Sequence, residues 1–223
     1  MNIAQQIQGI CNELPPRTRL IAVSKFHPPE MILEAYNAGQ KIFGESKVQE
    51  LTVKYEVLPK DIEWHFIGHL QSNKIKQIVP FVSMIHSVDS INLLQEINKQ
   101  GEKAGRKINI LLQIHIAKEE TKYGLSEEEC RDFLSSGIHK TLTNINICGL
   151  MGMATYTEDT NIIRSEFRNL SSFFNEMKQK VFEFNDNFKE LSMGMSEDYP
   201  IAIEEKSTLI RVGSKIFGER KYY

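Results

Sequence analysis

The 223-residue sequence has almost no net charge, with 27 lysine and arginine residues against 29 aspartate and glutamate, a formal charge of -2. It offers no bulk positive field to hold a nucleic acid or an anionic membrane, so neither is expected as a partner. No apolar run approaches the length needed to cross a bilayer. The first residues, MNIAQQIQGICNELPPR, show no basic segment followed by an apolar one, so no export signal is expected and the chain should stay in the cytoplasm. Cysteine is scarce. Cys11, Cys130 and Cys148 are odd in number, far apart and without CxxC spacing, which argues against a disulfide framework or a zinc cluster and fits reduced thiols. The histidines show no HExxH or similar close spacing, so no metal site is expected. No Pro/Gly/Ser-rich linker or charge block divides the chain, and residues 1–223 are expected to form a single domain.

What the sequence does have is an alternation. Short runs rich in Ile, Val, Leu and Phe are each followed by a turn and then by a longer stretch with helical periodicity. The runs fall at 20–23, 41–43, 63–67, 84–86, 108–116, 145–150, 190–193 and 209–212. Helices are predicted over 29–38, 47–57, 73–79, 91–104, 127–135, 162–181 and 199–206, their apolar stripes serving as core faces. Local signals agree: Pro28 and Pro29 open one helix and Gly39 closes it, Ser126 with Glu129 forms a capping box, and Gly137 ends that helix. Eight such units in about 200 residues fit an α/β (β/α)8 TIM barrel, whereas a doubly wound open sheet would leave units over. Ile3, Ile7 and Ile10 give an additional N-terminal helix lying outside the repeat.

Ligands of such barrels bind at the carboxyl ends of the strands, which directs attention to the residues just after each apolar run. After the first strand come Ser24 and Lys25, the latter in the apolar context IAVSK. Partial desolvation there would disfavour the ammonium and favour the amine that attacks a carbonyl to form a Schiff base; the plainer alternative is a solvated lysine at a strand end. After the seventh and eighth strands come two turns of small residues, LSMGMSED and IRVGSKIFG. Ser196, Gly213 and Ser214 would supply hydroxyl and backbone donors to a phosphate, with the helix beginning near Asp198 adding its dipole. Arg211 is two residues before Gly213 and so shares its inward face, where an arginine is costly unless paired or facing a ligand. A carbonyl-reactive lysine, a phosphate cup and an inward arginine are the parts needed to hold pyridoxal 5'-phosphate (PLP).

The segments AVSKFHP, IFGESKVQEL, EWHFIGHLQSNK, IHSVDS, KYGL, CGLMGMAT, LSMGMSEDY and RVGSKIFGER, in this order, resemble the pyridoxal phosphate homeostasis proteins from about Arg19 to Arg220. The resemblance implies a barrel similar to the N-terminal domain of alanine racemase. It makes Lys25 the lysine that holds PLP as a Schiff base, Ser196, Gly213 and Ser214 the phosphate-binding positions, and Arg211 the residue facing the pyridine nitrogen. An arginine there keeps that nitrogen unprotonated and makes the ring a weak electron sink. The cofactor-binding set is therefore Lys25, Ser46, Met195, Ser196, Arg211, Gly213 and Ser214, with no catalytic residue assigned. Ser46 departs from the family, which usually has asparagine there followed by tyrosine rather than Lys47; Lys206 stands where glycine is common.

The implied role is a monomeric cytoplasmic protein of PLP (vitamin B6) homeostasis without catalytic activity, with PLP-dependent apoenzymes as possible recipients. A PLP-dependent amino-acid racemase is the alternative. Racemization needs acid/base groups on both faces, and in alanine racemase the second is a tyrosine from a further domain, whereas this sequence ends at Tyr223. Of the remaining polar residues, His69, Asn73 and Lys74 are expected to bond locally, and Lys122 to be a solvated loop lysine or else a second amine accepting the aldehyde during transfer. Met151 and Met153 are expected to pack.

Overall fold

In the computed structural model, which describes residues 2–119 and 122–218, the eight apolar runs are strands of one closed parallel barrel arranged in chain order. Arg220 and Tyr223 lie outside the described residues. The strands are β1 (Arg19–Val23), β2 (Ile42–Glu45), β3 (Glu63–Phe66), β4 (Met84–Val88), β5 (Ile108–Gln113), β6 (Ile145–Met151), β7 (Glu190–Ser192) and β8 (Leu209–Val212). Closure comes from β1 pairing with β8, Ile21 opposite Arg211. The (β/α)8 barrel expected from the alternation is the fold, and the open sheet is excluded.

The helices are α1 (Ile3–Glu13), α2 (Pro29–Asn37), α3 (Val48–Val57), α4 (Ile75–Ile78), α5 (Ile91–Lys103), α6 (Glu127–Ser135), α7 (Thr160–Lys180), α8 (Tyr199–Glu204) and α9 (Ser214–Phe217). Helix α1 buries Ile3, Ile7 and Ile10 outside the repeat, against α2 and α9. Pro29 occupies the first turn of α2, Ser126 and Glu129 form both bonds of the capping box, and Gly137 leaves α6 at φ +75°. The short α9 follows β8 directly, and the apolar pattern does not announce it.

Strand ends differ from the sequence pattern where polar residues continue the ladder. β2 extends through Gly44 and Glu45, which pair with His65 and Phe66, because Glu45 finds a buried cationic partner. β4 runs on through Ser87 to Val88, with an irregular register against β5. β5 stops at Gln113 instead of 116, and Ile114 makes only an isolated bridge to Leu125.

Alternation along the strands sorts the side chains into two layers. Outward residues such as Phe43, Trp64, Phe66, Ile85, Ile110 and Leu150 pack against the helices, joined from α7 by Phe167, Leu170 and Met177. Inward apolar residues are fewer, among them Ile21, Met84, Leu111, Cys148, Met151 and Leu209. The rest of the barrel interior is polar: Arg19, His65, His86, Gln113, Glu190, Ser192 and Arg211. At the N-terminal end of the barrel, Arg19 meets Glu190 at 2.7 Å, inside an open cleft of about 1240 Å³. That cleft lies opposite the end where ligands of this fold bind.

Candidate functional site

Lys25 lies two residues beyond Val23, the last residue of β1, in a turn at the barrel mouth. It is half-buried, in a turn that its neighbours fix from several directions. Phe26 adopts φ +67°, a left-handed conformation costing a non-glycine residue on the order of 1 kcal/mol or more, and its N–H donates to Glu50 Oε1 at 2.6 Å. The Lys47 ammonium lies 4.8 Å from the Phe26 ring centroid. His27 is buried with its ring 5.1 Å from that of Phe217 on α9, tying the Lys25 turn to the segment after β8.

Beneath the turn lies a buried ionic cluster. Lys54 on α3 donates to the Ser24 carbonyl at 2.8 Å, to Glu45 Oε1 at 2.7 Å and to Glu50 Oε1 at 2.7 Å. The Ser24 hydroxyl donates to the same Glu45 oxygen at 2.6 Å. Glu45 is wholly buried, its Oε2 has no hydrogen-bond partner, and burial pushes its pKa up to about 7 against the pull of Lys54. Glu45 stands among the residues that follow the second apolar run, but Glu50 and Lys54 were not singled out from the sequence. Glu50 and Lys54 are four apart, a spacing that ordinarily signals a solvated helix pair, and only the packing of α3 over β1 and β2 makes it a buried one.

On the other side of Lys25 lies the β7–β8 end. Gly213 donates its N–H to Ser196 Oγ at 3.3 Å, bringing the two turns together. A Cβ on Gly213 would sit 3.0 Å from the Val23 carbonyl oxygen, so glycine permits the close approach of this turn to β1. Ser214 begins α9, whose first turn has no side-chain cap and so presents free N–H groups beside the Ser214 and Ser196 hydroxyls. Helix α8, whose dipole the sequence assigns to this site, begins at Tyr199 directly after Asp198 and has no side-chain cap; the Asp198 Oδ1 instead accepts from the Met195 N–H at 2.5 Å. The uncapped start nearest Gly213 is that of α9. Met195 thus retains only its exposed side chain for a ligand.

Arg211 points into the barrel, as its spacing from Gly213 predicts, and is 4% exposed. It donates through Nη1 to Ser192 Oγ at 2.7 Å and through Nη2 to the Gly152 carbonyl at 3.1 Å. Burial lowers its pKa to about 10, partly opposed by Asp198, so it stays a cation at neutral pH. Ser46 is half-buried after β2, and Gly68 is pressed so close to its backbone that a Cβ there would come within 2.3 Å of the Ser46 carbonyl oxygen. Lys25, Ser46, Met195, Ser196, Arg211, Gly213 and Ser214 therefore share one sector, the adjoining ends of β7, β8, β1 and β2.

The other polar residues lie apart from this sector or are locally engaged. His69 Nδ1 lies 2.9 Å from Asp89 Oδ2, and its ring stacks on Tyr123 at 4.0 Å. Lys122 is not freely solvated: it donates to the Ala154 carbonyl at 2.6 Å and pairs with Glu119 at 3.0 Å. Met151 and Met153 pack inside the barrel. Asn73 and Lys74 lie on a single 3-10 turn, Ser72–Lys74, that leads into α4. Among the described residues, no group of three His, Cys, Asp or Glu side chains is placed to hold a metal ion, and no helix is long and apolar enough to cross a membrane.

The donor set suits PLP. Neutral hydroxyls and uncapped N–H groups fit a phosphate, a buried guanidinium without a bonded carboxylate fits an unprotonated ring nitrogen, and a braced amine fits an aldehyde. The family model described as alanine racemase, N-terminal domain, matches residues 1–221. The pyridoxal phosphate homeostasis protein of Aquifex aeolicus is 42% identical over 205 residues, 92% of this chain and 88% of that protein. PipY of Synechococcus elongatus, whose structure is known with PLP bound, is 37% identical and superposes with a TM-score of 0.87 over 97% of this chain and all of that one. An alanine racemase of Clostridium difficile superposes with a TM-score of 0.78 over 99% of this chain but 57% of its own length, at 14% identity, which shows a shared barrel fold alone. Matching its relatives over nearly its whole length, this chain belongs to the pyridoxal phosphate homeostasis protein family.

Proposed function

We propose that this protein binds PLP, holds it as a Schiff base on Lys25, and serves as an intracellular reserve that releases it to PLP-dependent apoenzymes rather than catalysing a reaction of its own. The observation that carries the proposal is the convergence of Lys25, Arg211 and the Ser196–Gly213–Ser214 donors on one sector of the barrel mouth. Solved with PLP bound, the similar PipY supports the choice of cofactor.

When bound, the cofactor supplies an aldehyde that an amine can capture reversibly. The chain's own residues account for the rest. The ionic cluster beneath Ser24 holds the Lys25 turn in place, so that the amine is presented rather than searching. The hydroxyls of Ser196 and Ser214 and the first-turn N–H groups of α9 would neutralise phosphate charge by hydrogen bonding, which explains how an anionic ligand is held in a protein of nearly zero net charge. Arg211, already a cation, would donate to the ring nitrogen and withhold from it the proton that makes PLP a strong electron sink. That arrangement favours storage over carbanion chemistry.

Addition of PLP to the purified protein is expected to give a visible absorption band that borohydride traps as an adduct on Lys25, identified by peptide mass spectrometry. Lys25→Ala should lose both. Absence of the band, or an adduct on another lysine, overturns the assignment, and Lys25-dependent racemization of an amino acid overturns the non-catalytic role.

A further inference from the structure

Below Arg211 the barrel interior contains a continuous line of hydrogen-bonding side chains from four strands. Ser192 Oγ on β7 receives Arg211 Nη1 at 2.7 Å and lies 3.0 Å from His86 Nδ1 on β4. His86 Nε2 lies 2.9 Å from His65 Nδ1 on β3. Ser192 and His86 are wholly buried and His65 is 2% exposed, yet His65 borders the cleft at the far end of the barrel. The line thus crosses the barrel from the mouth to its opposite end.

Proton counting gives the line a direction. A guanidinium has only N–H groups, so Ser192 Oγ must accept from Arg211. Burial holds both imidazoles neutral, His65 down to about 3 and His86 well below its usual range, so each carries one N–H. Two patterns remain. In the first, the Ser192 hydroxyl donates to His86 Nδ1 and His86 Nε2–H donates to His65 Nδ1, leaving the His65 proton on Nε2. In the second, His65 Nδ1–H donates to His86 Nε2 and His86 Nδ1–H donates to Ser192, whose own proton then has no acceptor along the line. The first turns the negative end of every dipole toward Arg211 and uses every proton; the second turns the positive ends toward a buried cation. Arg19, the cation at the His65 end, is paired with Glu190 at 2.7 Å, whereas among the described residues no carboxylate forms an ion pair with Arg211, so the uncompensated charge lies at Arg211 and selects the first pattern.

We infer that Ser192, His86 and His65 are positioning residues for Arg211, a neutral, one-directional dipole chain that stands in for a counter-carboxylate and keeps the guanidinium fixed and charged where it meets the cofactor ring. The part concerning the ring rests on the proposed binding of PLP at Lys25; the direction of the chain does not. A carboxylate at the Ser192 position would neutralise the cation but also compete for its N–H groups, whereas the dipole chain occupies one N–H and leaves others for a ligand.

Two measurements test it. In cofactor-free protein labelled with 15N-histidine, two-bond nitrogen–proton NMR correlations are expected to show both His86 and His65 protonated on Nε2. A proton on Nδ1 of His86, or an imidazolium at either residue at neutral pH, overturns the inference whatever the fate of PLP. In the PLP-loaded protein, Ser192→Ala is expected to weaken PLP affinity about tenfold, the scale of one hydrogen bond to a charged group, and to shift the 15N resonance of the ring nitrogen, while borohydride still traps the cofactor on Lys25. A stable Ser192→Ala protein with unchanged affinity and ring-nitrogen shift would show the chain to be structural filling only. If wild-type protein binds no PLP, the cofactor assignment fails, and the histidine tautomers still decide the chain.

Discussion

Glu45 makes the stability of this protein depend on pH in a way that can be computed and isolated. Its carboxyl is wholly buried, one oxygen shared by Ser24 and Lys54 and the other without a partner, and its pKa rises from 4.5 to about 7. An acid with a folded pKa above its unfolded one binds more protons when folded, so its stabilising contribution is full below pH 4.5 and is lost as pH climbs through 7. At about 1.4 kcal/mol per pKa unit, the loss across that window is about 3 kcal/mol. Glu45→Gln removes the titration while keeping a polar group that can accept from Lys54 and Ser24. The stability of this variant relative to wild type, measured by urea denaturation at matched pH values, is therefore expected to rise by about 3 kcal/mol between about pH 4.5 and about pH 8. Taking the difference cancels every other titrating group. A difference that stays flat across this range, or falls, would refute the assignment of a buried, strained carboxylate at the base of the Lys25 turn.

The interior histidines act in the opposite sense. Their folded pKa values lie below the unfolded 6.5, so their contribution is present above that pH and is lost on acidification, by about 2 kcal/mol at about pH 5 for His65 alone, with His86 adding in the same direction. Urea denaturation of Glu45→Gln at about pH 7 and about pH 5 reads this without the opposing Glu45 effect, and equal stabilities at the two values would contradict neutral buried imidazoles. Lys206 sits at φ +75° just before β8. Lys206→Gly is expected to stabilise by up to about 1 kcal/mol and Lys206→Ala not at all, so equal stabilities for the two variants would show that the left-handed backbone carries no strain.

Local chemistry left a clear mark on the sequence. The eight alternations, the capping box at Ser126 and Glu129, and the proline opening of α2 depend on contacts within a few residues, and all are present. The positions of the candidate anion-binding residues could also be read, since Ser196, Gly213 and Ser214 are small residues in turns directly after strands, and the inward direction of Arg211 follows from strand alternation. The strand ends at Glu45 and Ser87 were harder to read, because a polar residue ordinarily marks where a strand stops. Helix α9 is too short for any periodicity to show.

The sequence by itself determined the order of the elements, and it pointed to Lys25 as the candidate amine and to Ser196, Gly213 and Ser214 as candidate phosphate donors. Tertiary structure alone decided what those residues rest on. Ser24, Glu45 and Lys54 are brought into one buried cluster by the packing of α3 over β1 and β2, and Arg211, Ser192, His86 and His65 into one line by the closure of four strands around a common axis. Their separations along the chain carry no local signal, because each of these groups is a costly buried polar residue until a distant strand or helix supplies the partner that satisfies it.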